Sequence, residues 1–173
     1  DDLNELASKL YKNHKEVIDF IFENKSDISS ELQPIFSSRI ASSGWVLGSK
    51  NKGYARFSTQ PLAELIPNKG RGWPNKECFL FEFDYLWSKK KAVFKTVISD
   101  CDPEIQNVLN KIMETVPGSK KPRGKKWLVH FQHSWDFDTE EMTSVDEDDV
   151  NTILDKEWSV ITEIVKKVES AML

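Results

Sequence analysis

The chain has 173 residues, 39% of them apolar and 11% aromatic, with only seven Gly and seven Pro, which excludes a disordered or fibrous chain and provides for a sizeable core. Its 24 basic and 28 acidic residues give a formal net charge of −4, which excludes a whole-molecule field attracting nucleic acid, so any such binding must be local. Two cysteines are too few for a disulfide framework, and we expect Cys78 and Cys101 to be reduced and half-buried, as is usual in the cytoplasm.

The chain begins at Asp1 without an initiator Met. We therefore expect residues 1–173 to be a single α+β domain excised from a longer protein. No apolar run has the length that spans a bilayer, and no signal-peptide pattern is present. These observations predict a cytoplasmic location and no membrane partner.

Two helices are predicted at the start of the chain. Apolar side chains recur at steps of three and four between residues 2 and 23, which indicates one amphipathic helix. His14 lies on that apolar stripe, and we expect it to be hydrogen-bonded and partly buried rather than a catalytic base. A second helix follows, capped within residues 27–30 and carrying Pro34 near its first turn. Its apolar stripe consists of Leu32, Ile35, Phe36 and Ile40.

A hairpin and a long loop are predicted next. Two short strands around residues 45–47 and 54–57 flank the turn GSKNKG, whose glycines permit positive φ. Residues 58–76 contain three prolines and two glycines. This punctuation leaves room for only one helical turn and indicates a loop.

Residues 77–98 have the pattern of an aromatic hairpin, with strands ECFLFEFDYLW and KAVFKTVI joined by the turn SKK. Alternation places five aromatic side chains on one side of the first strand, where helices must cover them. These five are Phe79, Phe81, Phe83, Tyr85 and Trp87. A helix that begins with the cap Asp102 and Pro103 should supply that cover through Ile105, Leu109 and Ile112.

The last two predicted elements are a strand at residues 127–133 and a helix that begins at a capping box of Ser144 and Glu147. The element order is then ααββ–ββαβα. It favours an α+β fold, with an antiparallel sheet of about five strands and helices packed on it. It does not favour alternating βαβ units with a nucleotide-binding crevice.

Two carboxylates on the aromatic hairpin are candidate metal or acid–base groups. Glu82 and Asp84 share one strand face two residues apart, close enough to act on one ion or substrate. Lys91 and Lys95 on the partner strand are within reach of them. We therefore favour a solvated face of cross-strand salt bridges.

The segment HFQHSWDFD carries four side chains of metal-ligand type, His130, His133, Asp136 and Asp138. On a strand the two histidines face opposite sides, which favours a strand end that enters an acidic loop. The sequence has no nucleophile elbow, phosphate-binding loop or cysteine nucleophile motif.

The loop PGSKKPRGKK is the strongest candidate for a binding surface, because its basic residues have no acid between them. The candidate residues are Lys120, Lys121, Arg123, Lys125 and Lys126, with Arg71, Lys89 and Lys90 expected nearby. Such a group neutralises several phosphates, and Trp73, Trp87 or Trp127 can stack on bases where exposed. Eight acidic residues lie between positions 136 and 149. The resulting polarised surface suits a protein partner as well as DNA.

Several segments carry a family pattern: LYKNHKEVIDFIFEN, the short helix and Trp45 with YARF, the strand FEFDY, and the helix after Asp102. In this order they resemble the C-terminal half of a bacterial family in the PD-(D/E)XK nuclease superfamily, over most of the chain. An N-terminal nuclease domain precedes such a region in that family. The resemblance therefore implies an accessory domain that lies next to a nuclease domain.

Nucleases of that superfamily use an Asp and a Glu/Asp-x-Lys on neighbouring strands to bind a divalent metal. The tripeptide of this kind in the chain is Glu23-Asn24-Lys25, which ends a predicted helix and has no strand before it. We therefore assign no catalytic residue, metal or cofactor to this chain. The resemblance implies that the catalytic residues lie upstream of Asp1.

Three functions remain open. The leading hypothesis is a cytoplasmic, non-catalytic accessory domain of a nuclease-like protein that binds DNA, its own nuclease domain or a protein partner. The first alternative is a stand-alone, nuclease-like, metal-dependent enzyme that uses Glu82, Asp84 or residues 130–138. The second is a protein-interaction module unrelated to nucleic acid, such as an inhibitor or adaptor.

Overall fold

A five-stranded antiparallel sheet organises the computed structural model, which describes residues 2–24, 28–51, 53–86, 89–137 and 145–173. The strands follow one another across the sheet in chain order. They are β1 (Val46–Leu47), β2 (Ala55–Ser58), β3 (Phe79–Leu86), β4 (Lys91–Ile98) and β5 (Gln132–Asp136). Because each strand pairs with its neighbour in sequence, the sheet needs no crossover connection.

The described residues form six helices, and three of these helices contact the sheet. The helices are α1 (Asp2–Asn13), α2 (Lys15–Asn24), α3 (Ile28–Ser42), α4 (Gln60–Leu65), α5 (Pro103–Thr115) and α6 (Glu147–Met172). Helix α3 contacts β2, α5 contacts β4 and α6 contacts β5. The α+β class predicted from the sequence is therefore confirmed.

The helix-covered face holds the predicted aromatic core. Phe57, Phe81, Phe83 and Phe94 are fully buried, and their rings lie in contact across three strands. Leu109 of α5 joins the same buried cluster, and Ile105 and Ile112 pack against it. The prediction that the faces of β3 and α5 share one core is confirmed, and so is the buried stripe of α3.

The opposite face of the sheet is also buried, although the sequence predicts a solvated one. Trp73 from the loop before β3 packs with Leu80 and Val97 in a second apolar cluster. Glu82, on the same face, is only 4% exposed. The prediction of a solvated face is wrong because alternation along a strand gives no sign that the preceding loop folds back over it.

The N-terminal helical segment differs from its prediction in two ways. It is divided at His14 into α1 and α2, although His14 N still donates to Leu10 O and Ile18 N to His14 O, each at 3.0 Å. No side chain of α1 is buried. His14, between the two helices, is also exposed and not partly buried as predicted.

Four further details of the helices and strands differ from the sequence prediction. Pro34 lies inside α3 and not at its first turn. Helix α4 forms within the predicted loop, where Thr59 Oγ1 accepts a hydrogen bond from Leu62 N. Strand β5 begins at Gln132, because the predicted strand start is reduced to a single bridge between Ile98 and Leu128. Asp146 caps α6 in place of the predicted Ser144, which lies outside the described residues.

Candidate nucleic-acid interface

The basic loop at residues 117–127 is held on the body of the protein by hydrogen bonds to its backbone. Lys120 N donates to His130 O at 2.9 Å, and Leu128 N donates to Ile98 O at 2.9 Å. Gln106 Nε2 of α5 donates to Lys126 O at 2.7 Å. Because these bonds fix both ends of the loop, it presents its side chains from an ordered backbone.

All five basic side chains of this loop are exposed. They are Lys120, Lys121, Arg123, Lys125 and Lys126. None of the five forms an ion pair with any residue that the structure describes. Their positive charges are therefore open to an anionic ligand, and each contact with a phosphate would release a counterion.

Trp127 ends the loop with a partly exposed aromatic ring, 39% accessible. Trp73 lies edge-on to it, with ring centroids 5.2 Å apart. Gly72 packs directly on the ring, and any Cβ at that position would overlap Trp127. The ring is thus fixed on one side and open on the other, as a stacking platform requires.

Arg71 joins this surface from the neighbouring loop, since it directly precedes Gly72. Its backbone N donates to Asp100 O at 2.8 Å, which fixes the loop. The guanidinium lies 3.8 Å from the Asp100 carboxylate, yet the Arg71 side chain remains 62% exposed. We name this group the Trp127 surface: Arg71, Lys120, Lys121, Arg123, Lys125, Lys126 and Trp127.

Lys89 and Lys90 do not join the Trp127 surface, contrary to the expectation that they lie near it. They lie at the turn of the β3–β4 hairpin, whereas Ile98, which bridges to Leu128, lies at its other end. The eight residues of β3 separate the two ends by about 25 Å. At the turn, Phe137 N donates to Lys90 O, so this end meets the start of the acidic segment.

Of the other two predicted stacking rings, one is buried and one lies outside the described residues. Trp73 is only 6% exposed and supports Trp127 from beneath. Trp87 lies outside the described residues. Sequence reasoning missed Gly72 and Gln106, which position Trp127 and the loop. The glycine beside a tryptophan in GRGW is the one local sign of a close contact.

Glu82 and Asp84, the candidate catalytic pair, lie in a buried ionic cluster. Arg56 Nε is 2.6 Å from one Glu82 oxygen, and Lys95 Nζ is 3.2 Å from the other. Lys95 is also 3.9 Å from Asp84. Burial raises the pKa of the Asp84 carboxyl, and the charge of Lys95 offsets this only in part. Cations thus already neutralise these carboxylates. Lys91, the other predicted cross-strand partner, pairs instead with Asp136.

The donors of the segment 130–138 are divided among different partners. His130 Nε2 lies 2.7 Å from Asn110 Oδ1 on α5, and His133 Nε2 lies 2.7 Å from Glu157 on α6. Burial lowers the pKa of His130, and the charge of Glu114 opposes this. Asp138 lies outside the described residues. Among those that are described, no group of three or more His, Cys, Asp or Glu is placed to hold a metal ion.

The acidic segment is explained in part by the start of α6. Asp146 Oδ1 accepts hydrogen bonds from Asp148 N and Asp149 N. Acidic residues in a first turn also interact favourably with the helix dipole. Residues 138–144 of this segment lie outside the described part of the chain.

No protein-family model, curated protein or solved structure matches this chain. The resemblance to the PD-(D/E)XK superfamily therefore rests on the sequence patterns and stays a prediction. Glu23 and Asn24 of its Glu-x-Lys tripeptide end α2, and Lys25 lies outside the described residues. Across the described helices, none has both the length and the apolar character needed to cross a bilayer.

Proposed function

We propose that this chain is a non-catalytic accessory domain of a cytoplasmic, nuclease-like protein, and that it binds single-stranded nucleic acid through the Trp127 surface. One observation carries the proposal. The exposed ring of Trp127 is fixed by Gly72 and Trp73 next to an ordered loop of five cations that have no ion-pair partner among the described residues.

The chemistry of this surface favours a single strand over a duplex. Lys and Arg side chains neutralise phosphates of either form. An aromatic side chain stacks only on a base that is itself unstacked, which single strands and loops provide. Trp127 presents one such ring beside the cations, so the surface contacts backbone and base together.

Two observations support a non-catalytic role for this chain. Glu82 is held between Arg56 and Lys95 and is 4% exposed, which leaves little room for a substrate. Glu23, the first residue of the Glu-x-Lys tripeptide, lies near the end of α2 and not on a strand, where a nuclease of this superfamily requires it. The resemblance therefore still implies catalytic residues upstream of Asp1.

The cytoplasmic part of the proposal is supported by the two cysteines. Cys78 and Cys101 are both free thiols and both fully buried. Burial raises the pKa of the Cys101 thiol to about 12, which keeps it protonated and unreactive. A reducing compartment maintains thiols in this state.

Salt-dependent binding tests the proposal. The whole chain is titrated into labelled single-stranded DNA, single-stranded RNA and duplex DNA of equal length at several salt concentrations. Replacing Lys121, Arg123 and Lys125 together by Ala should weaken binding to all sequences alike. It should also flatten the salt slope by about 0.7 for each single-strand phosphate that the variant no longer neutralises.

A matched control carries the same loss of charge elsewhere. Lys89, Lys156 and Lys166 are exposed and lie outside the Trp127 surface, so their triple Ala variant should bind like the wild type. Equal weakening of binding by the control variant would show that only the net charge of the protein matters. An absence of binding at low salt would overturn the proposal and favour a protein partner for this surface.

A second variant separates stacking from charge. Trp127→Leu should lose about 1–3 kcal/mol of single-strand binding free energy for one stacked base while the salt slope is retained. Thermal unfolding checks that the packing of Trp127 on Gly72 and Trp73 is not needed for folding. Unchanged affinity with an intact fold would remove Trp127 from the interface.

A nuclease assay tests the non-catalytic part. We expect the chain alone to leave DNA and RNA uncut in magnesium or manganese. Metal-dependent cleavage that is abolished by Glu23→Ala or Lys25→Ala would overturn this expectation. Cleavage abolished by Glu82→Gln would instead favour the metal-dependent enzyme.

A further inference from the structure

A small cavity lies between α4, the β1–β2 hairpin and the residues that lead into β3. Its volume is about 180 Å³, which is room for about six water molecules at about 30 Å³ each. The buried side chains of Leu62, Phe79 and Leu80 line its inner part, and the exposed Leu47 and Ala63 lie at its rim. The cavity therefore offers apolar walls to a molecule of about five or six non-hydrogen atoms.

The carboxylate of Glu77 also lines this cavity. Ser49 holds it from the protein side, because Ser49 N donates to one Glu77 oxygen at 2.8 Å and Ser49 Oγ donates to the other. Ser49 is itself fully buried, and its Oγ accepts a hydrogen bond from Asn75 N at 2.9 Å. The carboxylate is therefore fixed in position, and each of its oxygens still has a lone pair for a further donor.

Glu77 has no ion-pair partner among the residues that the structure describes. A partly buried carboxylate without a counter-ion has lost part of its hydration, and a bound cation would offset that cost. The side-chain amides of Asn68 and Asn75 line the same cavity, and neither forms a hydrogen bond with any described residue. Two amide oxygens are thus available to accept hydrogen bonds beside the carboxylate.

We propose that this cavity binds a small primary ammonium ion that carries a short aliphatic chain. An ammonium group has three N–H donors and no acceptor, which matches the oxygens of Glu77, Asn68 and Asn75. Its chain would bury apolar surface against the inner wall. A calcium ion fits less well, because it takes about six to eight oxygen ligands and the cavity supplies one carboxylate. No residue of the Trp127 surface lines the cavity, so binding here is independent of nucleic-acid binding.

Titration of the whole chain with butylammonium chloride, followed by heteronuclear NMR of the amide groups, tests the site. Ser49 N donates to Glu77, so its signal should shift to saturation, together with the side-chain signals of Asn68 and Asn75. The first comparison is n-butanol, which has the same chain without the charge. The second is sodium butyrate, which has the opposite charge. Neither should shift these signals to saturation at the same concentration and ionic strength.

Glu77→Gln removes the charge and should weaken butylammonium binding by about 10- to 100-fold, as the loss of a hydrogen bond to a charged group does. The matched control is Glu64→Gln, which removes an exposed carboxylate of α4 that does not line the cavity and should leave binding unchanged. Because Glu77 also bonds Ser49, a second variant leaves that carboxylate in place. Ala63→Leu adds volume at the exposed rim and should also weaken binding. Thermal unfolding checks the fold of each variant.

Three outcomes would overturn the proposal. The absence of a saturable shift at Ser49 with butylammonium would mean that the carboxylate does not bind a cation. An equal response to n-butanol would show that the cavity takes apolar chains without regard to charge. Unchanged affinity in a folded Ala63→Leu variant would place the ammonium ion outside the cavity.

Discussion

The two faces of β3 are both buried, but different interactions stabilise them. On the helix side, Phe81 and Phe83 are covered by rings and aliphatic side chains. On the loop side, Glu82 is covered as completely, but only together with Arg56 and Lys95. Apolar burial stabilises in proportion to area, whereas buried charges stabilise only as complete pairs. On the first face, stability should therefore depend on the volume of the side chains. On the second face, it should depend on their charge.

The largest effect should come from the aromatic face. Phe81 is fully buried, with ring centroids 5.1 Å from Phe57 and 6.0 Å from Phe94. Phe81→Ala should lower the free energy of unfolding in urea by about 3–5 kcal/mol, because it removes this packing and leaves an internal cavity. Leu47→Ala, at a position 41% exposed on β1, is the control and should change it little. A neutral Phe81→Ala would mean that the register of β3 is misassigned.

Breaking the ionic face should lower the free energy of unfolding almost as much, but removing the partner charge as well should restore most of it. Arg56→Leu leaves Glu82 buried with only Lys95 beside it and should lower the free energy of unfolding by about 3 kcal/mol. The double variant Arg56→Leu with Glu82→Leu removes both charges and should regain most of that loss. If the double variant is less stable than the single one in urea, the pair contributes by shape and not by charge.

A smaller effect is expected where a titratable group is buried without a charged partner. His130 bonds Asn110, and burial holds its pKa below the ordinary 6.5, while the charge of Glu114 opposes this. A lowered histidine pKa means that stability is fully present above pH 6.5 and is lost as the pH falls through the folded-state pKa. His130→Gln, which can also donate to Asn110, should weaken this acid-side loss of Tm. An unchanged pH profile would assign the loss to another group.

The smallest effect should come from Asp84, whose pKa is raised by burial. A raised carboxyl pKa means a stability contribution present below the ordinary pKa of 3.8 and lost as the pH rises through the folded-state pKa. Asp84→Asn keeps an oxygen to accept the 2.7 Å bond from Tyr85 N. It should therefore raise Tm slightly at neutral pH and lose this advantage near the ordinary pKa. A lower Tm at neutral pH would show that attraction to Lys95 outweighs burial.

Sequence patterns predict the helix side of the sheet well, because that side depends on local rules. Alternation in β3 places Phe79, Phe81 and Phe83 together, and Asp102 with Pro103 marks the start of α5. Each signal lies within a few residues of the structure that it specifies. The stripe of α1 is also visible as a period, but the period does not reveal whether a partner covers it.

The candidate site is only partly predictable from the sequence, because it depends on contacts between residues that are far apart in the chain. The basic loop is visible as a run of charge, and its cations are exposed as expected. The grouping of Lys89 with this loop is wrong because the sequence does not reveal which end of a hairpin a later loop reaches. The packing of Gly72 on Trp127 joins residues more than fifty positions apart in the chain. No local rule encodes such a pairing.

Helix α5 links the sheet to the basic loop through one side chain. The Gln106 amide donates both to Ser99 O, just after β4, and to Lys126 O in the loop, at 2.9 Å and 2.7 Å. A displacement of α5 would therefore change the position of the loop relative to the sheet. Any ligand that shifts this helix would alter the Trp127 surface without contacting it.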